Sequence, residues 1–418
     1  MKCNPISILF VLLFLFTGCL KEQEDFFPNT SSERLTSTIE SVDSLLISAS
    51  NGWLMHYYAD GESPGYSLII AFNKNKEVIV AAQNELVGNT YSEARSFFDI
   101  IGDYGPVLTF NTYNDILHLF SNPVDPDGVG LGGDYEFVII SQADTFIHLE
   151  GKKRKSMIFM ERLPEGISWS DYLSDVASMN DGLFGAEPLY IHSGSTILYA
   201  YGGASHIFQI YGFADERVVS MPFVVTRSGL RFYSVLSIDN NKNVQTFNLS
   251  TDGNSLIARE DINTFIQSVD VGDYLVDSHE SFVFDTVKMS DHFKRPASLM
   301  CQQMKTQYSD KRNIDNIALS YDAILGHSFY FSTAPKVTEA NFKINITADS
   351  NLSNRVVIEK VDGLYDSNGK LFLSSAPAIN DFWQELEGSY NLTTSLSKKE
   401  IKFVDSKDDS RFFVVIRK

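Results

Sequence analysis

The chain has 418 residues, 44% of them apolar and 13% aromatic, with 53 acidic against 34 basic side chains and a net charge of −19. This length supports a large core and more than one domain. The negative balance argues against nonspecific nucleic-acid binding, which needs basic groups to neutralise phosphates. The 31 Phe and 19 Tyr favour sheets, with sugar stacking as a second reading of the tyrosines.

In chain order, residues 1–18 read as an export signal: Lys2 supplies a positive end and Ile8–Phe16 an unbroken apolar run. That run is too short to span a bilayer, which takes roughly 20 residues, so the segment is excluded from the fold. Phe16-Thr17-Gly18-Cys19 closes it. These four residues resemble the bacterial lipoprotein box, with Phe16 in place of the usual Leu. The resemblance implies cleavage before Cys19, acylation of that residue and a lipid anchor in the outer membrane. Several acyl chains on one residue give lasting attachment where a single chain is marginal. Residues 19–30 are an acidic tether. Glu22, Glu24 and Asp25 in it are similar to a surface-export signal of Bacteroidota, so either membrane face is open.

Thr30-Ser31-Ser32-Glu33 fits a capping box, and apolar residues then recur at three and four, predicting a helix over 31–48. Strands follow at 53–58, 66–73, 77–82, 135–140, 144–150 and 155–162, with a helix from Trp169 to Met179. Period-two runs dominate residues 187–260 and 314–418. Residues 261–267, 290–309 and 378–388 read as helices, and "KLFLSSA" as a strand. The expected fold is mostly β or α+β: antiparallel sheets with a docked N-terminal helix and a few peripheral helices. The domains expected are 31–165, a middle region 166–310 and a C-terminal region 311–418. No strict internal repeat is visible.

Chemistry is sparsely marked. In "SNPVDPDGVGLGGDYEFV", Asp125, Asp127, Gly130 and Glu136 fall on calcium-loop positions, but Val129 stands where an oxygen ligand belongs. Asp125, Asp127 and Asp134 are the candidate ligands of a looser calcium site. An ordinary hairpin loop is the plainer reading, because Gly and Asp supply turn geometry anyway. Apart from calcium, no cofactor is expected. The 8 histidines form no compact ligand spacing. Cys301, on a predicted helix, reads as a buried small hydrophobe. No serine elbow or phosphate loop occurs, and Lys152–Lys155 reads as a solvated hairpin.

Four stretches, "NGWLMHYY" (51–58), "YGPVLTFNTYN" (104–114), "GLGGDYEFVI" (130–139) and "LEGKKRKSMIFM" (149–160), resemble Bacteroidota lipoproteins classed as domain of unknown function 4302. The resemblance implies a setting beside a TonB-dependent transporter and its surface lipoprotein, and carries over no catalytic residue. The function expected is a non-enzymatic binding or accessory component of outer-membrane nutrient uptake, with a glycan or peptide ligand and no nucleic acid. The alternatives are a secreted hydrolase of glycan or peptide, which needs a cleft of shifted titratable groups, and a structural envelope protein.

Overall fold

The computed structural model describes residues 30–418 except 104, 123–130, 186, 240–241, 309–311 and 350–351. Cys19, Asp125 and Asp127 therefore lie outside the described residues, as do the leader and all but the last residue of the tether.

Helix α1 (Ser31–Ile47) opens on the expected capping box: the Thr30 hydroxyl accepts from Glu33 N, and the Glu33 carboxylate accepts from Thr30 N at 2.8 Å. Its buried stripe includes Val42 and Leu46, and Trp53 Nε1 donates to Leu46 O at 2.9 Å, pinning the helix end to the first strand. Gly52 makes the turn between them at φ +79°, where a Cβ would lie 2.8 Å from Ile70 O.

Three closed barrels follow, each an antiparallel meander of eight strands. The first runs from β1 (Trp53–Tyr58) through β2 (Gly65–Phe72) to β8 (Met157–Arg162), closing where Trp53 pairs with Arg162. Helix α2 (Trp169–Leu183) leads into the second, β9 (Leu189–Ser193) to β16 (Thr264–Ser268), closed by β9 pairing with β16. The third runs from β17 (Phe282–Phe284) to β24 (Phe412–Arg417); α3 (Val271–Asp277) precedes it, and α4 (Asp291–Gln307), α5 (Ser367–Ser375) and α6 (Ala378–Glu385) interrupt it. Closure satisfies every edge strand internally.

The antiparallel, mostly β architecture with a docked N-terminal helix is thus as expected, and its sheets are barrels. The first barrel's last strand ends at Arg162. The division at 310 does not follow the barrels, because β17 pairs with β18 (Asn313–Asp322) and β24 and so places the third barrel's start well before it. Of residues 261–267, read as helical, 264–267 belong to strand β16. Asp261 is a turn residue there, accepting from Asn263 N and the Thr264 hydroxyl. "KLFLSSA" is instead helix α5, capped by Asp366 accepting from Gly369 N at 2.6 Å and anchored by buried Phe372.

Each barrel encloses its own apolar core. The second core reaches outward to both neighbours: Leu54, Ile69 and Ala81 on the outer face of the first barrel join it, and so does Leu396 from the third. Strand β1 is consequently buried on both faces.

Candidate functional site

Between the second and third barrels lies a groove of about 830 Å³. Tyr190, His192, Tyr199 and Gln267 form one wall, Asn354 and Thr393 the other, and Asp270, Asp273 and Lys398 are at its base. Its barrel-two wall continues outward as an aromatic face, produced by strand register. Cross-strand partners point to the same side of a sheet. Gln267, Tyr190, Tyr199 and Tyr211 are paired in one row across β16, β9, β10 (Thr196–Tyr201) and β11 (Ile207–Tyr211). Phe265, His192 and Ile197 make the adjacent row. The alternate residues Ile191, Leu198, Ala200 and Ile210 fill the barrel.

The outward rings are spaced as contact pairs: Tyr190 and Tyr199 at 5.5 Å, Tyr201 and Tyr211 at 5.9 Å, and His192 stacked on Phe265 at 4.9 Å. Tyr199, Tyr201 and Tyr211 are 41–42% exposed and line an open hollow of about 560 Å³. Gln267 Nε2 lies 3.0 Å from His192 Nε2, so the amide donates to the ring and places the imidazole proton on Nδ1. Burial holds His192 below its ordinary pKa.

Lys398 is the unusual charge of the groove. It is 2% exposed, its Nζ donates to Ser268 Oγ, and burial lowers its pKa to about 8 against the pull of Asp270. The neighbouring chain ties the barrels together through Ser397 N on Gly182 O at 3.0 Å and Arg417 Nη1 on Gly185 O at 2.6 Å. Flat amphipathic rings beside a polar trench suit a ligand with one apolar face and hydroxyls at its edges.

Of the candidate cation ligands, Asp134 is described and serves a turn. Its Oδ2 accepts from Lys153 N at 3.0 Å and Arg154 N at 2.7 Å. Among the described residues, no group of three or more His, Cys, Asp or Glu is placed to hold a metal ion. The four stretches that carry the family resemblance meet around Asp134. Tyr57 donates to Asp134 O at 3.0 Å, and Gly133 N donates to Phe120 O at 2.7 Å. Phe120 packs on Tyr57 at 4.3 Å and ends the short turn that Asn114 starts by accepting from Leu117 N. A Cβ at Gly151 would lie 2.5 Å from Asp134 Oδ2. These residues therefore build the first barrel. Lys152–Lys155 form its β7–β8 hairpin turn, with β7 spanning Phe146–Gly151; Lys152 pairs there with Glu136, and Lys155 with Glu150. Cys301 sits half-buried on α4, its thiol pushed up by burial.

The aromatic face was not singled out from the sequence. Its trace there is "LYIHS" and "TILYAY", strands with apolar or aromatic residues on both faces.

Solved structures similar to this chain are bacterial DNA polymerase III β chains. That of Streptococcus pneumoniae TIGR4 is 10% identical, with 92% of this chain and 97% of that chain covered at a TM-score of 0.14. The β subunit of Thermotoga maritima is 13% identical, with 91% and 97% covered and a TM-score of 0.14. Scores this low carry no argument about fold or function. A search of curated proteins gave no match. The model of one family matches residues 23–251, more than half of the chain, and the chain belongs to that family, described as a domain of unknown function (DUF4302).

Proposed function

We propose that this protein is a lipid-anchored outer-membrane component that binds a glycan without transforming it, as an accessory to a TonB-dependent transporter and its surface lipoprotein. The observation that carries the reading is the tyrosine face of the second barrel running into the polar groove. Tyrosine offers a large amphipathic contact at low entropic cost, and the closed sheet holds its rings in fixed relation. Their flat faces match the C–H face of a pyranose, and the carboxylates and amides of the groove match its hydroxyls. A peptide added as an extra strand needs an open sheet edge, and the three barrels are closed. The anchor rests on Phe16–Cys19 and the partners on the family resemblance.

Affinity electrophoresis of the mature chain through gels carrying plant, fungal and bacterial polysaccharides tests the binding. At least one polysaccharide is expected to retard it, and Tyr199→Ala with Tyr211→Ala to weaken that retention at least tenfold. Failure of every polysaccharide, or full retention by the double variant, overturns the reading. Labelled palmitate incorporation that Cys19→Ala leaves unchanged rules out the anchor.

A further inference from the structure

We infer that the cleft between the first and second barrels is a second sugar site, built for neutral, hydroxyl-rich ligands and closed to anionic ones. The cleft holds about 680 Å³, within the range of small-ligand sites. It lies between β2, the chain after β3 (Glu77–Ala82), helix α2 and His206. No lysine or arginine is among its lining residues; its acids are Glu85 and Asp181. Lys399 reaches Asp181 at 3.9 Å from the rim, where both side chains are largely exposed.

The hydrogen bonds of His206 decide what this wall offers a ligand. Its Nδ1 lies 3.1 Å from Gly65 O, and its Nε2 2.7 Å from Asn180 Oδ1. Gly65 O can only accept, so Nδ1 carries the proton. Burial holds the ring below its ordinary pKa and therefore neutral. A neutral ring has one N–H, so Nε2 must accept, and the Asn180 amide must be turned over to give it Nδ2 in place of Oδ1. Turned so, Asn180 Oδ1 takes the outer end of the amide, where it makes no hydrogen bond to another described residue. Glu85 adds a second acceptor: one of its oxygens takes the Tyr66 hydroxyl at 3.0 Å and the other remains. Ser174 and Ser178 supply hydroxyls from α2. The amides of Gln83, Asn84 and Asn89 add donors beside these acceptors, and with no lysine or arginine in the lining the wall suits a ligand that brings hydroxyls and no negative charge, as an uncharged sugar does. Phosphate, sulfate or uronate groups would meet the carboxylates of Glu85 and Asp181, with Lys399 at the rim the one cation among the described residues paired to either.

Histidine imidazole NMR of the full mature chain reads this site directly, with the His206 signal assigned by its loss in His206→Gln. The probes are oligosaccharide pools from starch, mannan and xylan as neutral ligands, and from pectin as the anionic one. The His206 signal is expected to shift with at least one neutral pool, at a concentration at least tenfold below any shift with pectin. It is expected to do so equally in the Tyr199→Ala, Tyr211→Ala chain, which separates this site from the tyrosine face. A His206 signal that no neutral pool moves overturns the inference, as does one that pectin moves equally well. Failure of the tyrosine face alone leaves the His206 response intact.

Discussion

The two seams of the molecule each leave a cleft but are joined differently. Where the first barrel meets the second, β1 is buried on both faces, and Leu54 and Ile69 join the core of the neighbouring barrel. Polar contacts there are few and specific, such as Ser67 Oγ donating to Val225 O at 2.7 Å and Tyr58 donating to Arg231 O at 3.2 Å. Where the second barrel meets the third, Leu396 joins the second core, Ser397 N donates to Gly182 O, and the seam opens into the groove. The strands at the two places look alike in composition: "WLMHYY" is sealed between barrels, while "TILYAY" leaves its tyrosines in solvent. An apolar outer face thus has two uses, and what decides between them is whether a second barrel covers it.

Breaking the sealed seam should cost the most. Ile69→Ala removes a fully buried side chain and should lower stability by about 2–5 kcal/mol, read as a drop in the denaturant midpoint, with glycan retention kept under native conditions.

Acid should stress the same seam. His56 is 3% exposed, and neither ring nitrogen has a hydrogen-bond partner among the described residues. It faces Ser67 on β2, Phe159 on β8 and, from the second barrel, the Arg231 guanidinium. Burial, aided by Arg231, lowers its pKa to about 3. Above its unfolded value of about 6.5 neither state binds the proton; between there and 3 only the unfolded chain does. Stability should therefore fall with acidification by about 1.4 kcal/mol per pH unit across this window from this residue alone. Thermal melts from pH 7 to 4 should show a shallower decline in His56→Leu; an identical slope would mean the buried ring is not the cause.

Asp134→Ala leaves two backbone donors of the β7–β8 turn without their charged acceptor and should cost about 1.5–3 kcal/mol. A calcium-dependent melting temperature lost in this variant would instead favour the cation reading. Smallest of all should be the effect of Tyr199→Ala on stability, within about 0.5 kcal/mol for an exposed side chain, because the tyrosine face is proposed to serve a ligand.

How much of this was legible follows from the range of each interaction. Helix α1 was, because its capping box and apolar stripe are local. So were most strands, whose period of two is local as well. Barrel closure was not: it depends on pairs such as Trp53 with Arg162 that no local pattern marks. The threefold repetition of an eight-stranded meander was hidden too, since closure constrains inward volume and register without requiring the same letters. The groove joins Tyr190, Asp270, Thr393 and Lys398, residues far apart in sequence, and the lowered pKa of Lys398 arises from burial that only the packed barrels create.

Isothermal titration of the mature chain with the polysaccharide that retards it most strongly, set against the Tyr199→Ala, Tyr211→Ala chain, tests the tyrosine face most directly. The account predicts that the tighter class of sites disappears in the double variant, with affinity at least tenfold weaker and an unchanged melting temperature. Equal affinity in the two chains would contradict it and leave the exposed tyrosines without a ligand role.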